Sequence, residues 1–247
     1  MNRPMHFRRI AFGVASLICI ACGSGVPTSP SPAPPPPVIS PSPFPSPPSK
    51  PYTVTGNIVD TQGAPVADVS VNIWIQLERS GYSYWWANGP LRSDAGGHFV
   101  APNIPSSEIT VFASQNGYVQ PCAVRAEIGS DLALDVELIS WAVAESVNPP
   151  RPRIVGGPVV TGLVFETTAT GRQPVPGAAL WIETGFEIAT ATGRTDARGA
   201  FMLCNLPRDA FAYVMKAGYQ PWQGRIDTSG TEPLNIELKR MLNAAAP

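Results

Sequence analysis

At 247 residues the chain has room for two domains, and 29 Pro, 22 Gly and only 14% charged residues suit short strands joined by turns better than long helices. The formal net charge is −1; without an N-terminal segment that carries Arg3, Arg8 and Arg9, 14 basic residues face 18 acidic ones, a balance of −4. Phosphate binding needs a concentrated basic face, so nucleic acid is excluded as a partner.

The predicted elements begin with Arg3 and Arg8-Arg9, followed by an apolar run over 10–21. Those twelve residues fall short of the roughly 20 that a permanent membrane helix needs, so 1–21 is read as an export signal. Residues 22–51 are almost entirely Pro and Ser, a composition that favours extended polyproline II and builds no core. Fully extended, this stalk reaches on the order of 90 Å, which makes it a spacer.

The first domain, 52–140, reads as seven short strands, at 52–60, 69–75, 82–86, 99–104, 109–113, about 123–125, and 132–138. Turn residues separate them. Residues 141–158, with Asn148-Pro149-Pro150-Arg151-Pro152 and Gly156-Gly157-Pro158, form a linker stiffened by proline. The second domain, 159–240, repeats the first, and 241–247 is a tail.

The repeat is carried by R-[ST]-D-A-x-G-x-F-x-x-x-N-[IL]-P. It occurs from Arg92 and again, 102 residues on, from Arg194. Asp94 and Asp196 are placed to accept from backbone N–H groups of a tight turn, Gly97 and Gly199 to supply positive φ, and Phe99 and Phe201 to open the next strand. Val54-Thr55-Gly56 also matches Val160-Thr161-Gly162, and Gly117-Tyr118 matches Gly218-Tyr219. The expected fold is therefore all-β: two tandem seven-stranded antiparallel sandwiches.

These motifs together resemble the carboxypeptidase regulatory-like domain, a transthyretin-like sandwich: V-x-G-x-[IV]-x-D, G-x-P-[VL], T-D-x-x-G-x-F, N-[LI]-P and a late G-Y. The resemblance covers about three quarters of the chain. It departs at Ser93, which stands for Thr, at Glu166, which stands for Asp, and in three extra residues before Pro174. It implies a non-catalytic module for folding, spacing or partner contact, and no peptidase domain accompanies it. Separately, Cys19-Ile20-Ala21-Cys22-Gly23-Ser24 resembles the lipobox of bacterial lipoproteins, with Cys19 where Leu is usual. That resemblance implies lipid on Cys22 and, with Gly23 following, delivery to the outer membrane. The alternative is a secreted protein cut near Ala21.

Catalytic and metal-binding patterns are missing from the sequence. Only His6 and His98 occur, with no C-x-x-C, no H-x-x-x-H and no nucleophile elbow, so no catalytic residue, metal or cofactor is assigned. A Lys–Asn cross-link is not expected either, because Lys216 and Lys239 are the only lysines in the two domains and neither lies in a first strand. Cys122 and Cys204, one in each repeat, are a candidate disulfide between domains. The alternative is two separate thiols, Cys204 being buried where the first copy has Pro102.

One difference between the repeats stands out. Ile73 to Arg92 spans 19 positions and Ile182 to Arg194 only 12, so the first domain has a longer hairpin that includes Tyr82, Tyr84, Trp85 and Trp86. Such a cluster packs onto its own domain, anchors a protein partner or stacks on sugar rings. The sequence thus describes an exported, lipid-anchored protein of the cell envelope that displays two modules for spacing or for binding an envelope or extracellular protein. A glycan-binding lipoprotein and an accessory subunit of an envelope enzyme or receptor are the alternatives.

Overall fold

The computed structural model describes residues 51–79, 82–153, 156–184, 188–229 and 232–241, and within 77–79 and 82–90 only the course of the backbone. Cys22, the proposed signal and the stalk up to residue 50 lie outside the described residues.

The first repeat contains β1 (Tyr52–Asp60), β2 (Ser70–Arg79), β3 (Tyr82–Arg92), β4 (His98–Ile104), β5 (Glu108–Ser114), β6 (Tyr118–Val119), β7 (Val124–Glu127) and β8 (Leu132–Ser140). A single helical turn, α1 (Trp141–Ala144), follows. The second repeat contains β9 (Val159–Thr168), β10 (Gly171–Pro174), β11 (Ala179–Glu183), β12 (Ala189–Arg194), β13 (Ala200–Cys204), β14 (Phe211–Met215), β15 (Trp222–Arg225) and β16 (Leu234–Glu237).

Each repeat closes as two sheets. In the first, β3-β2-β5-β7 faces β4-β1-β8-β6; in the second, β12-β11-β14-β15 faces β9 with its neighbours β10, β13 and β16. Alternation along the strands explains the closure. Val54 and Ile58 on β1, and Val71, Ile73 and Ile75 on β2, point into one core with Val136 and Leu138; Val160, Leu180, Ile182, Val214 and Ile236 build the second. The sandwich expectation holds, with eight strands per repeat in place of the expected seven, since the two-residue β6 and the short β10 are too brief to show a period, and with one pairing that alternation does not reveal. First and last strands pair in parallel, β1 with β8 and β9 with β16, while the other pairings are antiparallel.

The repeated motif is a set of backbone-fixing contacts. Asp94 Oδ1 accepts from the N–H groups of Gly96 (2.8 Å) and His98 (2.9 Å), and Asp196 Oδ1 accepts from those of Arg198 and Ala200 (both 2.8 Å). Gly97 (φ 77°) and Gly199 (φ 74°) then return the chain, each placing its carbonyl where the first strand donates, at Ile58 and Val164. The residue before the Asp is a latch. Ser93 Oγ donates to Val66 O and accepts from Val69 N–H (both 3.0 Å), and Thr195 Oγ1 does the same for Val175 O (2.7 Å) and Ala178 N–H (2.8 Å). At the end of the motif Asn103 and Asn205 take the left-handed conformation (φ 63° and 54°), a region Asn tolerates better than most residues.

Candidate functional site

The element with no counterpart in a single sandwich is the junction between the repeats, which belong to one compact unit. Its origin is visible in β5. The strand has the run Ile109-Thr110-Val111-Phe112-Ala113, and all five residues are buried. Ile109, Val111 and Ala113 face the first core, whereas Phe112, on the opposite side, meets Trp181 of β11 edge to face at 5.3 Å between ring centroids. A strand buried on both faces needs a covering layer, and the second repeat supplies it.

The chain leaving β6 runs along that layer. Gln120 is 1% exposed, and its amide is fully engaged: Oε1 accepts from Ala113 N–H (2.7 Å), and Nε2 donates to Val111 O (3.1 Å) and Cys122 O (3.0 Å). Its backbone reaches the other repeat, donating to Thr192 Oγ1 (2.9 Å) and accepting from Thr192 N–H (2.8 Å). Two residues later the segments pair like strands, Ala123 N–H to Cys204 O and Cys204 N–H to Pro121 O (both 3.0 Å). Asn205 Nδ2 donates to Ala123 O at 2.8 Å.

Cys122 and Cys204 lie at the centre of this pairing. Their Cα atoms are 4.4 Å apart and the sulfurs are bonded, across 82 residues of sequence. The alternative of two separate thiols is not what the structure contains. Sequence separation gave no sign of the approach; what brings the sulfurs together is the short parallel bridge between 122 and 204.

The segment read as a linker is packed as well. Ser140 caps α1, and Trp141 Nε1 donates to Tyr118 O at 3.1 Å. The Arg194 guanidinium lies 4.4 Å from the Trp141 ring centroid and pairs with Glu145. Val119, Ile139 and Ala144 form a small apolar cluster of their own. Beneath Pro149, Pro150 and Pro152 a cleft of about 560 Å³ opens toward Phe201 and Met202 of β13.

Asp94, Gly97, Asp196 and Gly199 sit in the two turns already described, apart from the junction. Tyr82, Tyr84, Trp85 and Trp86 belong to the edge strand β3, where Trp85 is in register with Gln76 and Trp86 with Ile75; their side chains lie outside the described residues. Among the described residues no group of three or more His, Cys, Asp or Glu is placed to hold a metal ion, and no helix is long and apolar enough to cross a membrane. Gln120, Thr192 and Trp181 were not singled out by the sequence. The available signal was Phe112 in the run Ile109-Thr110-Val111-Phe112-Ala113, an aromatic at a position that alternation would leave to solvent.

No protein-family model matches the chain, and no curated protein matches it. Among solved structures, a streptococcal ancillary pilin aligns over 78% of this chain and 63% of its own, at 12% identity and a TM-score of 0.30; the chain thus spans less than two thirds of that protein. The minor pilin of Streptococcus agalactiae aligns over 79% of this chain and 99% of its own (12% identity, TM-score 0.28). For the major pilin subunit of Bacillus cereus the shares are 78% and 100% (10% identity, TM-score 0.29). Likeness of this degree assigns no activity or partner to the chain.

Proposed function

We propose that the chain is a non-catalytic lipoprotein of the cell envelope, in which a lipid on Cys22 and a Pro-rich stalk carry two carboxypeptidase regulatory-like sandwiches, locked together as one spacing and protein-binding unit. The observation that carries the reading is the junction. A disulfide between repeats belongs to an oxidising compartment outside the cytoplasm, the destination to which a signal at 1–21 leads. Neighbouring hydrogen bonds, the Phe112–Trp181 contact and the packed α1 hold the same orientation. A spacer requires a fixed orientation, and this is what so many ties between two modules provide.

The residues behind the family resemblance support a scaffold role, since the Asp, Gly, Ser/Thr and Asn of each motif are spent on backbone geometry. Of the charged groups lining the cleft beneath the linker, Arg194 is committed to Glu145, and Asp196 to its own turn and to Arg198. The test is intact mass of the protein purified from membranes of its host, before and after reduction. A mature chain starting at Cys22 with diacylglycerol and acyl mass, gaining two hydrogens on reduction, is expected. A free, unmodified N-terminus would make the protein secreted and remove the anchor; no gain on reduction would remove the covalent lock.

A further inference from the structure

The junction is heterologous: the two repeats contribute different halves of equivalent sheets. Repeat one gives the outer side of β5 through Phe112, which is only 4% exposed and meets Trp181. Repeat two gives the β11–β12 half, through Trp181, Thr192 and Arg194. The surface of β14 in repeat two that corresponds to the covered one is left open.

The registers identify that surface. Ile73 pairs with Val111 and Ile182 with Ala212, so Phe112 corresponds to Tyr213, Thr110 to Phe211 and Ser114 to Met215. On the next strand Arg125 corresponds to Arg225, opposite Thr110 and Phe211 respectively. Ala212 and Val214 point into the second core, so Phe211, Tyr213 and Met215 point outward. Phe211 and Tyr213 lie half-buried against each other, 5.4 Å between centroids, and Met215 is 48% exposed. Where repeat one has Phe112 covered by Trp181, repeat two has Tyr213, half-buried beside Phe211, and an exposed Met215.

We infer that the β14–β15 face carrying Phe211, Tyr213 and Met215 docks a second copy of this chain, head to tail, through the outer side of β2 of the incoming first repeat. The occupant follows from continuity with the interface the chain already makes: there β5 of repeat one receives β11 and β12 of repeat two, β14 is the counterpart of β5, and β2 is the counterpart of β11. On the incoming copy the outward Asn72, Trp74 and Gln76 of β2 remain half-exposed. A heterologous contact that does not close on itself propagates, so the product is an open series and not a closed dimer. Gln120-Pro121-Cys122 corresponds to Gln220-Pro221-Trp222, so repeat two has no cysteine there and no covalent lock forms between copies. The association is reversible and depends on concentration.

Sedimentation velocity of the exported chain carrying Cys22→Ser, which keeps the stalk and both repeats, tests this. Species larger than dimer are expected to grow in as concentration rises. Tyr213→Arg is expected to weaken association by about tenfold or more, the effect of losing a central aromatic anchor, and Asn72→Arg to do so from the other side. Each of these variants then has one intact half, so mixing them is expected to restore a 1:1 dimer that goes no further. Arg225→Glu, at an exposed position on the same face, provides a second block if Tyr213→Arg lowers the melting temperature. A chain that stays monomeric throughout overturns the inference, as does a closed dimer insensitive to Asn72→Arg. Retention of a monomeric chain on an immobilised polysaccharide through Tyr213 would also overturn it, assigning the face to carbohydrate.

Discussion

Glu166 shows how a single change inside a repeated motif is absorbed. Its counterpart Asp60 closes a turn, Oδ1 accepting from Gln62 N–H (2.8 Å) and Ala64 N–H (2.9 Å). In repeat two the three added residues carry β9 on to Thr168, whose hydroxyl donates to Gly171 O at 3.0 Å and closes the turn there instead. The motif position now lies within the strand, and the longer Glu166 reaches Arg240 in a two-pronged pair, Nε to Oε2 at 2.7 Å and a terminal nitrogen to Oε1 at 2.8 Å. The Arg240 hydrogen bond, aided by Tyr219, holds the carboxyl below its ordinary value of 4.5, against the opposing effect of burial. A lowered folded-state value means the pair stabilises the fold above the unfolded-state value and that this contribution fades as pH falls through it. Glu166→Gln is therefore expected to melt below the parent at pH 7, with the gap closing as pH drops below about 4. Thermal melts across that range check it, and a gap that widens in acid would contradict the pairing. The exposed side of Arg240 keeps the effect small.

At the scale of elements, the opening strand of each repeat depends on a glycine beneath an aromatic ring. Gly56 pairs with Phe99 across β1 and β4, and Gly162 with Phe201 across β9 and β13. A Cβ at Gly162 would strike both the Phe201 ring and the carbonyl oxygen of Leu234 on β16. The ring can shift, but the backbone oxygen belongs to the parallel pairing that closes the sandwich. Gly162→Ala is expected to cost about 2 kcal/mol or more by overpacking, read as a lower denaturant midpoint with unchanged slope. An unaffected midpoint would show that β16 yields freely. This V-x-G and F pairing, the Asp turns and the strand positions were legible in the sequence because each is local or repeated. The parallel closure was not, since alternation fixes which face a residue takes and says nothing of which neighbour a strand chooses. Nor was α1, whose four residues are too few for a helical period and which owes its place to the Ser140 cap and to Trp141. The burial of both sides of β5 is encoded in Ile109 to Ala113, but its meaning depends on a covering layer that lies about 70 residues on. The pairing of Cys122 with Cys204 depends on that same distant layer.

For the molecule as a whole, the question is whether two sandwiches unfold as one. Across 82 residues the disulfide restricts the unfolded chain by about 4–5 kcal/mol in the chain-entropy treatment, yet a tether alone does not make two cores melt together. Cooperativity comes from a chain of interactions linking the two cores, and Gln120 is its middle link: its amide fastens the segment to β5 of repeat one, and the backbone so positioned bonds Thr192 of repeat two. Unfolding the second repeat strips Thr192 from the Gln120 backbone and Trp181 from Phe112; unfolding the first removes Ala113 and Val111 from the Gln120 amide. Replacing Gln120 by Ala leaves the buried Ala113 N–H without an acceptor, a cost of about 1–3 kcal/mol placed at the junction itself. The oxidised parent is expected to unfold in a single transition by both tryptophan fluorescence and calorimetry. Cys122→Ser with Cys204→Ser is expected to lower the midpoint and keep one transition, because the Gln120 hydrogen bonds remain. Adding Gln120→Ala is expected to split it in two, each sandwich then melting on its own core. Two transitions in the oxidised parent would mean that the junction holds position without coupling stability. A single transition in the triple variant would shift the coupling to α1, through Trp141, Glu145 and Arg194.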